Sequence, residues 1–399
     1  MAKGIPSFHG DRLKQAREAR GLTGVNLASL IGVRPAAVSQ YEHGTARPTQ
    51  EMLDRVATAL NMPATFFLRP VPSYPIGRFF YRSMSAATKA ARTRAERRFE
   101  WLRDIAHYFE GYFDLPAVNL PKVNLPFSFR QLTNATIDSI ASECRRHWGL
   151  REGPAPNLIR LLEKNGFVVS RCALDADTLD AFTEMDSAGR PFVILASDKG
   201  SGVRSRFDAA HELAHCVLHP GVEHRSLLST QEHAQLEQQA HRFASAFLLP
   251  EEQFTRELVA PTLESFLALK ERWKVSIGAM VMRASQLGLL RDQQSERLWI
   301  NLGRRGWRKC EPLDDRILAE QPKLLKQCVD MVLGSKLKSR AQIADDLSLP
   351  PGDIEELAGL PDCYLQDGFG EVISIQFKPS EPRPEHQERE STVIPFKLG

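Results

Sequence analysis

Between Arg206 and His219 the chain reads Arg-Phe-Asp-Ala-Ala-His-Glu-Leu-Ala-His-Cys-Val-Leu-His, and this stretch constrains the fold most. It contains His-Glu-x-x-His. On a helix, residues four apart share a face, so His211 and His215 can offer imidazole nitrogens to one ion while Glu212 projects beside it. In such a site the metal lowers the pKa of water and polarises a carbonyl, and the glutamate takes a proton and passes it to the leaving amine. The same five-residue pattern also arises in ordinary amphipathic helices whose histidines are merely solvated or hydrogen-bonded, so a third ligand has to decide.

His219 continues the same face but lies eight residues beyond His211, roughly 12 Å along a helix, too far to close on the same ion. It reads as a buried histidine supporting the pair. Glu237 is the better candidate. Leu236, Ala240, Phe243, Ala244 and Phe247 follow helical spacing up to Pro250, which predicts a second helix carrying Glu237 toward the histidines. Two nitrogens, one carboxylate and an open fourth position result, with Zn2+ as the expected ion and Mn2+ as the alternative.

Arg-Phe-x-x-Ala-His-Glu-Leu-Ala-His-x-x-Leu-His, followed by Glu-x-x-Ala-x-x-Phe-Ala-x-x-Phe-Leu-Leu-Pro, resembles the ImmA/IrrE-type metallopeptidases. The resemblance implies metal ligands His211, His215 and Glu237 with Glu212 as the base, in a gluzincin-like domain. Two positions depart from the family, His241 for a usual Asn and Asp208 for a common Thr. Members of this family cleave or inactivate helix-turn-helix repressors.

The 399 residues imply two or more domains, and 42% hydrophobic with 25% charged residues is ordinary for a water-soluble protein. No apolar run is long enough to span a bilayer, and the first residues lack the apolar core of a signal peptide, so a cytoplasmic protein without membrane association is expected. The six cysteines are scattered with no Cys-x-x-Cys, which reads as free thiols.

Residues 8–69 read as short helices. Leu13, Ala16 and Ala19 mark the first; Thr23 caps a second through Leu30; Gly32-Val33 turns; Pro35 opens a third that ends at Glu42. This is helix-turn-helix spacing, with Arg34, Ala37, Ser39 and Gln40 offered to the major groove. A small helical bundle used for protein contact is the alternative. The stretch from Leu22 to Leu60 resembles the lambda-repressor-like (XRE) domain, which implies a double-stranded DNA operator. Gly24 replaces a common phosphate-contacting Gln and Arg34 a common capping Ser or Thr, so Arg34 takes over the phosphate contact in this reading.

Pro70, Pro72 and Pro75 make a stiff linker. Residues 78–103 then carry eight Arg or Lys against Glu96 and Glu100, read either as added phosphate contacts or as the solvated face of a helix packed through Phe99, Leu102, Ile105, Ala106 and Phe109. The linker is also where a cut would separate DNA binding from everything behind it. Phe79-Phe80-Tyr81 is the favoured place within Leu68 to Ser85, the other reading being that these aromatics are core.

Two helices are expected at 137–150 and 157–165, three strands at 167–170, 181–185 and 191–195, and another helix at 273–288. The strands beside the catalytic helix form a sheet that can hold an extended substrate as an added strand. Ile343 to Leu357 repeats the spacing of Leu27 to Tyr41, so residues 314–360 hold a second helix-turn-helix-like unit. Residues 341–370 contain seven acids and no Lys or Arg, which suits protein contact and not phosphate. Residues 379–390 are polar, rich in Pro and Glu, and expected to be disordered.

The expected architecture is mostly α, α+β: a helix-turn-helix domain (8–69), linker and basic connecting helix (70–125), zincin-like metallopeptidase domain with a small β-sheet (126–290), helical C-terminal region (291–370) and tail (371–399). The expected function is a DNA-binding transcriptional regulator, acting as a homodimer, whose zinc endopeptidase cleaves a repressor or its own chain. The alternative is a transcription factor whose peptidase-like domain is a non-catalytic sensor or dimerisation module.

Overall fold

The computed structural model describes residues 4–72, 78–80, 88–174, 180–198, 200–220, 222, 229–366 and 394–395. It is mostly helical and divides into two compact units, one of residues 1–75, 87–116 and 322–399, the other of 76–86 and 117–321. These units cut across the segments expected from sequence. The chain divides between them at 321, and the basic helix falls within the first unit, packed through Phe99, Leu102, Ile105, Ala106 and Phe109 as the second of the two sequence readings has it.

In the first unit α1 (Gly10–Ala19), α2 (Gly24–Ile31), α3 (Pro35–Glu42) and α4 (Gln50–Leu60) form the helix-turn-helix bundle. The Thr23 hydroxyl accepts from the Asn26 N–H, Gly32 ends α2 at φ 72°, and Pro35 opens α3. Leu27, Ala28, Ile31 and Val38 are buried between the helices.

The basic stretch becomes α5 (Lys89–Glu110) only after Thr88 caps it, so Arg78 lies outside the helix, in β1 (Arg78–Phe80). Ala95, Phe99, Trp101, Leu102, Ile105, Ala106 and Phe109 are buried on α5, which explains its place at the centre of the unit. Several of its arginines face partners in the same unit: Arg97 meets Glu18 at 2.8 Å and Arg98 meets Glu356 at 3.4 Å. For these residues packing accounts for the charge. At its end β2 (Phe113–Asp114) pairs in parallel with β6 (Ile394–Pro395).

The second unit holds α6 (Asn134–His147), α7 (Leu158–Lys164), β3 (Val168–Cys172), β4 (Ala181–Met185), β5 (Pro191–Ala196), α8 (Gly202–Leu218) and α9 (Thr230–Leu248). After these come α10 (Glu251–Glu257), α11 (Leu263–Trp273), α12 (Ile277–Gln286) and α13 (Asp292–Arg304). The sheet order is β1-β4-β5-β3, with β3 and β5 parallel and the other pairs antiparallel. β5 is buried along its whole length, as its apolar run Phe192 to Leu195 requires. Trp273, expected at the start of a helix, instead closes α11, because Lys274 turns left-handed at φ 52° and Ser276 caps α12 afresh.

α8 packs on β4 and β5 and against α9. Its small residues Ala209, Ala210 and Ala214, with Ala240 and Ala244 of α9, are all buried, and small side chains let two helices approach closely enough for polar groups on both to meet.

The chain then returns to the first unit as α14 (Leu324–Gly334), α15 (Arg340–Leu347) and α16 (Pro351–Ala358). α15 and α16 repeat α2 and α3 residue for residue: two eight-residue helices, a left-handed residue between them (Gly32, φ 72°; Ser348, φ 53°) and Pro at the first position of the second helix. Residues 379–390 and Tyr81 lie outside the described residues.

Candidate metal centre and DNA-reading surface

His211, Glu212 and His215 lie two to four turns into α8 and are fully buried. α9 carries Glu237 to them from a firmly anchored start: Ser229 and Glu232 form a capping box, and Arg130 pairs with Glu232. The Ser229 N–H, the Arg130 guanidinium and the Ser229 hydroxyl together hold the Glu232 carboxyl down at about 2.

Ligand-capable atoms of His211, His215 and Glu237 all lie within 4.8 Å of one another. The His211 Nε2 to His215 Nε2 distance is 3.0 Å, and Glu237 carboxylate oxygens stand 3.2 Å from His211 Nε2 and 3.6 Å from His215 Nε2. A tetrahedral ion with bonds of about 2.0–2.1 Å spaces its donors roughly 3.3–3.4 Å apart, so the spread of the three matches a single zinc-sized ion.

The hydrogen bonds behind His215 fix which nitrogen faces that point. Gln239 Nε2 donates to the Phe129 carbonyl at 2.7 Å, which turns its Oε1 toward His219 Nε2 at 3.0 Å. The amide oxygen accepts, so His219 carries its proton on Nε2 and accepts on Nδ1 from His215 Nδ1 at 3.0 Å. His215 Nε2 is then the lone-pair nitrogen directed at His211 and Glu237. Nitrogen lone pairs and a carboxylate converging in a buried space favour a cation there, and the donor set suits zinc.

Glu212 is held from the sheet. Thr183 of β4 donates its hydroxyl to Glu212 Oε2 at 2.7 Å, and both residues are buried. At the other end of α8, Arg206 pairs with Glu320 and donates to the carbonyls of Pro156 and Ala155 at 3.0 Å each. Glu320 also accepts from the Leu158 N–H at 2.7 Å, tying α8 to the start of α7. Thr183, Gln239 and Glu320 carry no local signal in the sequence, since their contacts span 29, 20 and 114 positions.

His241 stacks edge-on to His211 with ring centroids 4.7 Å apart, and its Nδ1 donates to the Glu237 carbonyl at 2.8 Å. Asp208 and His241 line a cavity of 650 Å³ whose apolar wall is made by Phe207, Met282, Trp299 and Trp307.

In the first unit Arg34, Ser39 and Gln40 are exposed on the outer side of α3 and Ala37 is half-buried. Arg34 occupies the cap position without capping through its side chain, as expected of a group with no acceptor. Its guanidinium is left to face outward. Among the described residues no helix is long and apolar enough to cross a membrane.

Residues 13–67 match the helix-turn-helix family model, and residues 162–285 match that of the IrrE N-terminal-like domain. The HTH-type transcriptional regulator SutR of Escherichia coli (strain K12) is 36% identical over 69 residues, which are 17% of this chain and 39% of that protein. A Mycobacterium tuberculosis transcriptional regulator of known structure aligns over 50% of this chain and 54% of its own, with 21% identity and a TM-score of 0.29.

Proposed function

We propose that this chain, an XRE-type helix-turn-helix regulator joined to an IrrE N-terminal-like domain, is a zinc-dependent endopeptidase that cleaves a helix-turn-helix repressor or its own chain. The observation that carries the reading is the convergence of His211, His215 and Glu237 within 4.8 Å beside the buried Glu212.

Zn2+, or Mn2+ in its place, would be held by those three side chains and would supply Lewis-acid polarisation of a carbonyl and a lowered pKa of water. Glu212 takes up a proton and returns it to the leaving amine nitrogen. Thr183, bonded to one carboxylate oxygen, aims the other. His219 and Gln239 keep the His215 ring in the tautomer that presents Nε2. The cavity walled by Phe207, Trp299 and Trp307 gives room to a large apolar side chain next to the bond to be cut.

On the DNA side, Ser39 and Gln40 read base edges and Arg34 meets phosphate, with the small Ala37 allowing close approach. Two copies on a two-fold operator follow from the usual use of this motif.

The test compares metal-loaded wild type with Glu212→Gln on purified repressor substrates and on the chain itself. Hydrolysis should fall by about 10²–10⁴-fold with metal content unchanged. Equal regulation by both, with no cleavage by either, would favour a metal-bound sensor, a reading to which the departures at Asp208 and His241 lend support.

A further inference from the structure

Residues 1–75 and 87–116 belong to the first compact unit, yet residues 76–86 between them are grouped with the second. The element that takes them there is β1. It pairs antiparallel with β4, Arg78 opposite Met185, Phe79 opposite Glu184 and Phe80 opposite Thr183. β1 is the outermost strand, so it covers an edge that β4 would otherwise leave open. Pairing along an open sheet edge is a general way to hold an extended polypeptide, because the backbone supplies the hydrogen bonds whatever the sequence.

This edge adjoins the candidate chemistry. Thr183, opposite Phe80, is the residue whose hydroxyl bonds Glu212 at 2.7 Å. Neighbouring strands lie about 4.8 Å apart, so the backbone of residue 80 runs one strand from the group that orients Glu212. A three-residue strand adds few hydrogen bonds to a sheet, while ordering it draws conformational entropy from the chain on both sides.

We propose that the β4 edge is the polypeptide-binding edge of this domain and that residues 78–80 are its built-in occupant, presented as a substrate strand is. Calling the occupant a substrate rests on the peptidase reading; the binding edge does not. Cleavage within 76–86 would add one water across one peptide bond, with hydroxyl to the carbonyl carbon and a proton to the amine nitrogen, and needs no other reactant. The helix-turn-helix would still be held afterwards by its contacts within the first unit, such as Arg20 with Asp353 at 2.6 Å. An outside polypeptide would have to displace β1 to reach the edge.

The test uses the full chain carrying Glu212→Gln, with and without Phe79→Pro and Phe80→Pro together, since proline cannot donate to the ladder. The probe is a fluorescein-labelled peptide of residues 74–84, read by anisotropy, with hydrogen exchange of residues 181–185 read in parallel. Removing the tethered competitor should tighten peptide binding at least about tenfold, and exchange in β4 should rise and then fall when peptide is added. Folding of the double variant is checked by unaltered exchange in α8 and α9. Equal binding by both chains, with β4 exchange unchanged by the peptide, overturns the proposal; if the proline variant unfolds, protection of β4 by added peptide in a Phe79→Ala, Phe80→Ala chain decides in the same way. Intact mass of metal-loaded wild type separates the two ideas. Peptide competition without any cut in 76–86 keeps the binding edge and removes self-cleavage at this strand, while the peptidase reading stands or falls on the repressor assay.

Discussion

In the first helix-turn-helix the outer positions of α3 are Arg34, Ala37, Ser39 and Gln40; at the same positions of the second stand Pro350, Asp353, Glu355 and Glu356. The backbones agree, down to the left-handed residue and the proline that follows it. The surroundings do not. Arg34, Ser39 and Gln40 are exposed, whereas Asp353 pairs with Arg20, Glu356 with Arg98, and Glu355 accepts from the Cys363 and Leu365 N–H groups at 3.0 and 2.7 Å. Turn residues and a few buried side chains suffice to specify this motif. On the proposed reading, whether the motif meets DNA or packs within the chain follows from what its second helix carries outward.

The comparison can be broken most severely in the second core. Ile354, fully buried, is the counterpart of Val38, and Ile354→Ala should cost about 2–5 kcal/mol in urea unfolding. Operator preference of the folded fraction should stay as it was. Next come the outward positions: Gln40→Ala should remove about 1–3 kcal/mol of discrimination between operator and mutated operator, and Arg34→Ala should weaken binding to all sequences and flatten the salt dependence. Glu356→Ala, at the position matching Gln40, should leave both unchanged when all three variants are titrated with fluorescently labelled operator at several salt concentrations. A truncated chain without residues 1–75 that kept the operator preference would move the reader elsewhere.

A smaller effect separates the turns. No atom lies closer than 3.9 Å to a Cβ placed on Gly32, so Gly32→Ser, which copies the second unit, meets only the strain of positive φ. It should cost about 1 kcal/mol by thermal unfolding. Least of all is the acid response. A hydrogen bond from Lys338, with another from Tyr108, holds the Asp346 carboxyl below its ordinary range against the opposing effect of burial. Its contribution is present above the unfolded carboxylate pKa and is lost as pH falls through the lower folded value. Protection of the α15 amides, taken relative to their intrinsic exchange rates at each pH, should therefore fall in acid, and Asp346→Asn should remove that dependence.

Much of this was legible because the signals are local. The i, i+4 histidines, the helical stripe behind Glu237 and the turn at Gly32 each lie within one element, and β4 falls where alternation and flanking turns place it. The rest depends on contacts between distant parts of the chain. The arginines of α5 read as a surface because Glu18 and Glu356 are far away in sequence, and Thr183 looks like any strand residue until α8 is laid across β4. β1 is too short for a periodic pattern, and its pairing with β4 bridges more than a hundred positions.

Metal analysis of the purified full-length chain beside His215→Ala and Glu237→Ala bears most directly on the candidate centre. The account predicts about one zinc-sized ion per wild-type chain, as three protein donors and one open position require, and a comparable loss of occupancy in both variants. Full occupancy in Glu237→Ala would contradict it.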